Sequence, residues 1–354
     1  MFELSDLGFS SFFENQVTDS SFDYTRLARI SAEHRSEYEI LTPKGTDKAY
    51  LSGNWLKERD GEALPKVGDW VVLDTSNQIL LIERILTRKT TLARGAAGKE
   101  TTSQVLATNV DLVFIVAGLD WALNPHRIER YLSLVWSSGA TPIVVLNKSD
   151  LAEDALVIKS EAEEHCPGVS VILASSHTVE GLGEIRAQLC KGITAVFIGP
   201  SGVGKSTLIN TLIGERRMDT NAVRTGDLKG RHTTVHRQLI VLPDGGLVID
   251  TPGLRELQLT ESDGIAAVFP EIEALADQCR FRDCTHQSEP GCAVIQAVEQ
   301  GSIRRERYEH YLKLQHDAQS FDLRHNEHLR RQSERVWGKL SREGNMIRRL
   351  KGDR

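Results

Sequence analysis

No stretch of the 354-residue chain approaches the roughly 18 uninterrupted apolar residues that a membrane helix needs, so no membrane span is expected. The opening Met1-Phe2-Glu3-Leu4-Ser5-Asp6 lacks the basic segment of a secretory signal, and a cytoplasmic protein is expected. Cysteine is scarce, at five residues, and disulfides are rare in a reducing compartment. Three of the five (Cys279, Cys284 and Cys292) nevertheless crowd into fourteen residues, which reads as a metal site before a staple. Neither an internal repeat nor a low-complexity tract is present.

What is present suffices for packed cores. Apolar residues make up 40% and charged residues 26%, which excludes wholesale disorder. At roughly 100–200 residues per domain, the length implies two or three domains. The net charge of −6 is unevenly spread. Residues 1–103 carry 13 basic and 16 acidic side chains, residues 104–300 carry 16 and 25, and residues 301–354 carry 14 and 8. An acidic body with a basic end points either to a polyanion partner or to a solvated helix face.

Residues 1–24, polar and rich in Ser and Phe, read as a loose leader. From 25 to 98 short β-type runs alternate with turn signals: Arg26–Ser31, Glu37–Leu41, Ala49–Ser52, Trp70–Leu73 and Leu80–Ile85. Five short strands suit a small β-barrel, an OB-fold first and an SH3-like barrel as competitor. Gly95-Ala96-Ala97-Gly98-Lys99 reads as a flexible linker. Across 99–264, apolar strands (Asp111–Ala117, Pro142–Leu146, Val169–Ala174, Ala195–Ile198) alternate with helical stretches near 125–137, 151–164 and 179–190. That rhythm predicts a parallel α/β sheet, closed by a hairpin around Asp244-Gly245-Gly246. Over 265–354 strands disappear, leaving a helical region with a basic tail.

Gly199-Pro200-Ser201-Gly202-Val203-Gly204-Lys205-Ser206 satisfies G-x-x-x-x-G-K-[ST], between a predicted strand and a helix that starts at Thr207. Glycines let backbone N–H groups wrap phosphates at a helix N-terminus. Lys205 is expected on the β- and γ-phosphates and Ser206 on Mg²⁺. This is a nucleoside triphosphate site. Asn147-Lys148-Ser149-Asp150 follows a buried strand, at the edge where open α/β sheets bind ligands. The Asp150 carboxylate can accept from guanine N1–H and the exocyclic amine together, which adenine cannot supply. Ser175 and Ser176, at another strand end, are expected to bring backbone N–H groups to guanine O6. Asp250-Thr251-Pro252-Gly253 places Asp250 near Mg²⁺ and the Gly253 N–H near the γ-phosphate. Gly226 to Thr234 reads as a mobile switch loop in which Thr233 or Thr234 adds a hydroxyl to Mg²⁺.

The order is unusual. In Ras-type GTPases the phosphate loop comes first and N-K-x-D last, whereas here N-K-S-D precedes the phosphate loop. The module is circularly permuted, and its switch end leads into Cys279-x₄-Cys284-x-His286-x₅-Cys292. Three thiolates and an imidazole make a closed, structural Zn²⁺ set, with buried free cysteines as the alternative.

The permuted order, Gly199–Ser206, Gly230-Arg231-His232-Thr233-Thr234, Asp250–Gly253 and the Cys/His spacing, behind a small barrel, resemble the RsgA/YjeQ family of small-ribosomal-subunit-dependent GTPases. The resemblance covers residues 25–320. It implies a multidomain protein: an N-terminal OB-fold β-barrel, a circularly permuted α/β P-loop GTPase domain and a C-terminal α-helical zinc-binding domain. It further implies late maturation of the 30S subunit, with 16S rRNA bound, hydrolysis stimulated by that subunit, and one structural Zn²⁺ beside Mg²⁺ with GTP. A monomer is expected. Leu254 stands where Ras-type proteins carry the water-orienting glutamine, and His232 is the expected substitute. Two rivals remain at this point. One is an RNA-binding scaffold with GTP as a structural ligand; the other is an ATP-dependent P-loop kinase, which Asp150 disfavours.

Overall fold

In a computed structural model of the chain, residues 2–19, 21–34, 37–52, 55, 64–94, 104–214, 237–250 and 263–325 are described. They form two compact units, one holding the described residues up to 250 and the other those from 263 onward. Among the described residues no helix is long and apolar enough to cross a membrane.

The first five strands are β1 (Leu27–Glu33), β2 (Tyr38–Thr42), β3 (Gly45–Leu51), β4 (Trp70–Asp74) and β5 (Leu80–Ile85). Alternate residues face one interior, as the two-residue period of a strand requires. Ala28, Ile30, Tyr38, Ile40, Ala49, Val71, Leu73 and Ile82 pack there as a single cluster. Neighbours run β1-β2-β3-β5-β4, and β4 closes back on β1. This is the expected OB-type barrel. β3 starts four residues earlier than the sequence suggested, because Gly45 already pairs with Thr42 across a two-residue turn.

The leader is not loose. A short helix, α1 (Ser11–Glu14), follows a 3₁₀ turn, and Leu7, Phe13 and Val17 are buried. Phe9 meets the Trp70 ring edge-on at 5.0 Å. Composition concealed this, since a segment with two short turns carries no readable period. The carbonyl of Leu7 accepts from Arg29 Nη1 at 2.5 Å. Arg29, only 1% exposed, also donates to the carbonyls of Gly68 (3.2 Å) and Asn109 (2.9 Å) and to Thr194 Oγ1 (2.8 Å). An unpaired guanidinium taken out of water costs several kcal/mol; four acceptors offset that here. Burial still lowers its pKa to about 10, against the opposing pull of Asp111 and Asp69.

β6 (Thr91–Arg94) and β7 (Gln104–Thr108) pair antiparallel. The expected linker Gly95–Lys99 lies outside the described residues. Next come β8 (Leu112–Gly118), α2 (Pro125–Ser137), β9 (Thr141–Asn147), α3 (Ala155–His165), β10 (Ser170–Ala174), α4 (Leu182–Gln188), β11 (Thr194–Ile198), α5 (Lys205–Ile213), β12 (Gln238–Val241) and β13 (Leu247–Asp250). The sheet order is β10-β9-β8-β11-β13-β12, parallel but for β12. From β8 the chain moves outward to β9 and β10, then returns to the other side of β8 as β11. Where the order reverses, the crevice at the carboxyl ends of β8 and β11 is the place for a ligand. β12 pairs on its far side with β1 of the barrel, Gln238 opposite Ala32.

The second unit contains α6 (Asp263–Val268), α7 (Pro270–Ala276), α8 (Ala293–Glu299) and α9 (Arg305–His325). Ile265, Val268, Phe269, Ile272, Val294, Tyr311 and Leu314 are buried in it. Arg307 lies 4.6 Å over the Phe269 ring and pairs with Glu271.

Candidate functional site

Strand β11 is buried throughout and ends in the phosphate loop. Gly199, Gly202 and Gly204 have φ values of 139°, 84° and 93°, a left-handed run that curls the backbone ahead of α5. Lys205 Nζ donates to the carbonyls of Gly199 (2.8 Å) and Pro200 (2.6 Å), so the ammonium sits over the loop that is to hold phosphates. Ser206 lies in the first turn of α5, partly exposed.

The Asn147–Asp150 loop leaves β9 beside it. Asn147, 1% exposed, donates through Nδ2 to the Val203 carbonyl at 2.7 Å. Lys148 takes a left-handed φ of 64° and its ammonium meets Asp120 Oδ2 at 2.5 Å. Ser149 donates to Glu180 Oε2 at 2.9 Å. Ser175 donates through its hydroxyl to Asp150 Oδ1 at 2.5 Å, and Ser176 Oγ stands 3.5 Å from Asn147 Oδ1. The Ser175 N–H, expected to face guanine O6, is instead donated to the Glu180 carbonyl at 3.0 Å. Ser175 thus meets Asp150 through its hydroxyl, while its N–H is taken by the Glu180 carbonyl.

Asp250 ends β13, which neighbours β11. Burial pushes its carboxyl pKa up to about 6. A desolvated carboxylate at the phosphate-loop edge suits a divalent cation, whose field restores the ionised form. Thus Asn147–Asp150, Ser175, Ser176, the phosphate loop with the first turn of α5 (199–207), and Asp250 all cluster at the carboxyl ends of the strands. His232, Thr233, Thr234 and Gly253 lie outside the described residues. Asp120 and Glu180 were missed in the sequence. Their only signals were a Gly-Leu-Asp after a strand and an isolated Glu-Gly turn.

In the second unit, the ligand atoms of Cys279, Cys284, His286 and Cys292 all lie within 4.8 Å of one another. His286 Nδ1 stands 3.4 Å from Cys292 Sγ and 3.6 Å from Cys279 Sγ, and the two sulfurs are 3.8 Å apart. Tetrahedral coordination with Zn–S of about 2.3 Å and Zn–N of about 2.0–2.1 Å gives edges of about 3.5–3.8 Å. The cluster fits a four-coordinate metal. Glu289 shapes the loop by accepting from the Thr285 hydroxyl and from the N–H groups of Thr285 (2.8 Å), Gln287 (3.0 Å) and Ser288 (3.1 Å). Those bonds, the Thr285 hydroxyl first, hold its pKa down to about 2.

A profile of the RsgA GTPase family matches residues 85–260. The chain is 47% identical over 294 residues to the small ribosomal subunit biogenesis GTPase RsgA 2 of Lactiplantibacillus plantarum, covering 82% of this chain and 83% of that protein. It is 42% identical over 342 residues to the protein of the same name from Vibrio parahaemolyticus, covering 96% and 92%. Among solved structures, YjeQ from Thermotoga maritima superposes with a TM-score of 0.63 at 29% identity, covering 83% of this chain and 98% of that one.

Proposed function

The chain belongs to the RsgA GTPase family and is a GTP hydrolase, and from that we propose that it acts in late maturation of the small ribosomal subunit, binding 16S rRNA and hydrolysing GTP faster when docked on that subunit. The observation that carries the nucleotide part is the Asn147–Val203 bond, which fastens the base-reading loop to the phosphate loop. The small-subunit part rests on the names of its relatives. In this reading the barrel (25–98) and the zinc-binding domain (265–354), with its basic tail, meet RNA while the permuted domain (99–264) turns over nucleotide. The protein works as a monomer in the cytoplasm.

Asp150 takes the guanine edge, oriented by Ser175, and Lys148 flanks the base. Lys205 exchanges its loop carbonyls for the β- and γ-phosphates, and the Gly253 N–H meets the γ-phosphate. Ser206, Asp250 and Thr233 or Thr234 would hold Mg²⁺, which neutralises phosphate charge when bound. Leucine at 254 cannot orient water, so His232 takes that task. Cys279, Cys284, His286 and Cys292 hold one Zn²⁺, a closed donor set that supports fold rather than chemistry. Co-sedimentation with purified 30S and 50S subunits, in GDP and in a non-hydrolysable GTP analogue, tests the partner. Binding to 30S that strengthens with the analogue is expected; equal binding to both subunits refutes it.

A further inference from the structure

Glu180 sits in no recognised motif, yet it touches both supports of Asp150. Its carboxylate accepts from the hydroxyl of Ser149, the residue before Asp150, at 2.9 Å. Its carbonyl accepts the N–H of Ser175 at 3.0 Å, and Ser175 in turn donates to Asp150 Oδ1 at 2.5 Å. The turn between is tightly determined. His177 and Thr178 donate their N–H groups to Ser175 Oγ at 3.2 and 3.1 Å. Val179 and Gly181 take left-handed φ values of 66° and 71°. A Cβ at Gly181 would stand 1.9 Å from the Leu173 carbonyl oxygen. Glu180 is therefore delivered to Ser149 by backbone that has little room to move.

Ser149 and Ser175 are 7% and 0% exposed. A buried hydroxyl that loses its acceptor is left unsatisfied at a cost in free energy, which favours any shift of its loop that gives it another. Reading guanine takes both oxygens of one carboxylate, and such bidentate recognition depends on the carboxylate plane. A rotation of Asp150 would break the two-point match on which recognition of the exocyclic amine beside N1–H depends. We propose, building on the Asp150 reading above, that Glu180 is a positioning residue for base specificity, holding Asp150 through Ser149 and Ser175 so that a guanine nucleotide is distinguished from one lacking the exocyclic amine.

The test is equilibrium binding of GDP and of inosine diphosphate, which lacks that amine, to the full-length protein. Wild type is expected to prefer GDP at least about tenfold. Glu180→Ala should narrow that preference by about five- to tenfold, the loss falling on GDP, on the scale of one ordinary hydrogen bond. Glu180→Gln, which keeps an oxygen acceptor for Ser149, should recover most of it. Ser149→Ala, which cuts the same bond from its other end, should match Glu180→Ala and serves if that variant folds poorly. Equal losses for GDP and inosine diphosphate, or an unaltered preference in both alanine variants, overturn the role of Glu180 while leaving Asp150 as the base reader. A wild type that binds the two nucleotides equally overturns the Asp150 reading, and the Glu180 proposal with it.

Discussion

Asn147 and Gly204 are fitted to each other: a Cβ built on Gly204 would lie 2.3 Å from Asn147 Nδ2. The absence of a side chain at 204 is what lets the Asn147 amide reach the Val203 carbonyl. Gly204→Ala would displace that amide and also strain a residue at φ 93°. Losing the bond leaves buried groups unpaired, worth about 1–3 kcal/mol. Both Gly204→Ala and Asn147→Ala are therefore expected to weaken GDP by about fivefold or more in isothermal titration. Unchanged affinity in Asn147→Ala refutes the fastening.

Replacing Asp150 by Asn puts an amide donor where guanine presents donors of its own. GTP affinity should fall by about 1–3 kcal/mol, and XTP, with a carbonyl in place of the amine, should gain relative to GTP. Competition binding of the two nucleotides decides it; a variant that still prefers GTP as strongly as wild type refutes the assignment.

Asp250 supplies a pH dependence whose sign is fixed by its raised pKa. Folding moves the carboxyl from 3.8 to about 6 by burying it. Its contribution to stability is thus intact below about pH 4 and is lost as pH rises through 6. At neutral pH the ionised group costs on the order of 2–3 kcal/mol. In nucleotide-free, metal-free protein, Asp250→Asn should gain stability over wild type as pH goes from 4 to 7.5, read as a widening gap in denaturant midpoints. Mg²⁺ should bind wild type more tightly over the same rise, releasing a proton. A gap that stays constant with pH counts against the burial argument.

Metal analysis should find one Zn²⁺ per chain. Cys284→Ala should lose it and lower the thermal stability of the helical unit while GTP binding persists. Native protein without zinc, or a helical unit indifferent to the substitution, contradicts the reading of the Cys/His cluster.

Hydrolysis by the free protein should be slow, since Leu254 cannot orient water. 30S subunits should raise multiple-turnover phosphate release by at least about tenfold, equivalent to ~1.4 kcal/mol of barrier, and 50S subunits by much less. The stimulation should weaken steeply with salt, as counterion release requires. His232→Ala should bind GTP and 30S nearly as wild type does yet lose most of the stimulated rate. An unimpaired His232→Ala removes that residue from the mechanism.

The barrel strands and the α/β sheet were legible because burial on one or both faces writes a period into sequence. The phosphate loop was legible because close backbone approach to an anion demands glycine. The leader was not, because its order comes from contacts such as Phe9 with Trp70, about sixty residues away. The partners of Ser175 were hidden for a related reason: sequence places it at the strand end, but which of its groups faces Asp150 depends on the turn through Val179 and Gly181. Asp120 and Glu180 act through single side-chain contacts, and a single contact has no period.

The four acceptors of Arg29 lie far apart in the chain. Leu7 and Gly68 belong to the first seventy residues, whereas Asn109 and Thr194 follow Arg29 by 80 and 165 positions. Half of the acceptors of this buried guanidinium thus come from beyond the barrel, and one of them, Thr194, opens β11, the strand that runs into the phosphate loop. The barrel and the nucleotide-domain sheet therefore share one buried charge, and a change at Arg29 is felt on both sides of that seam.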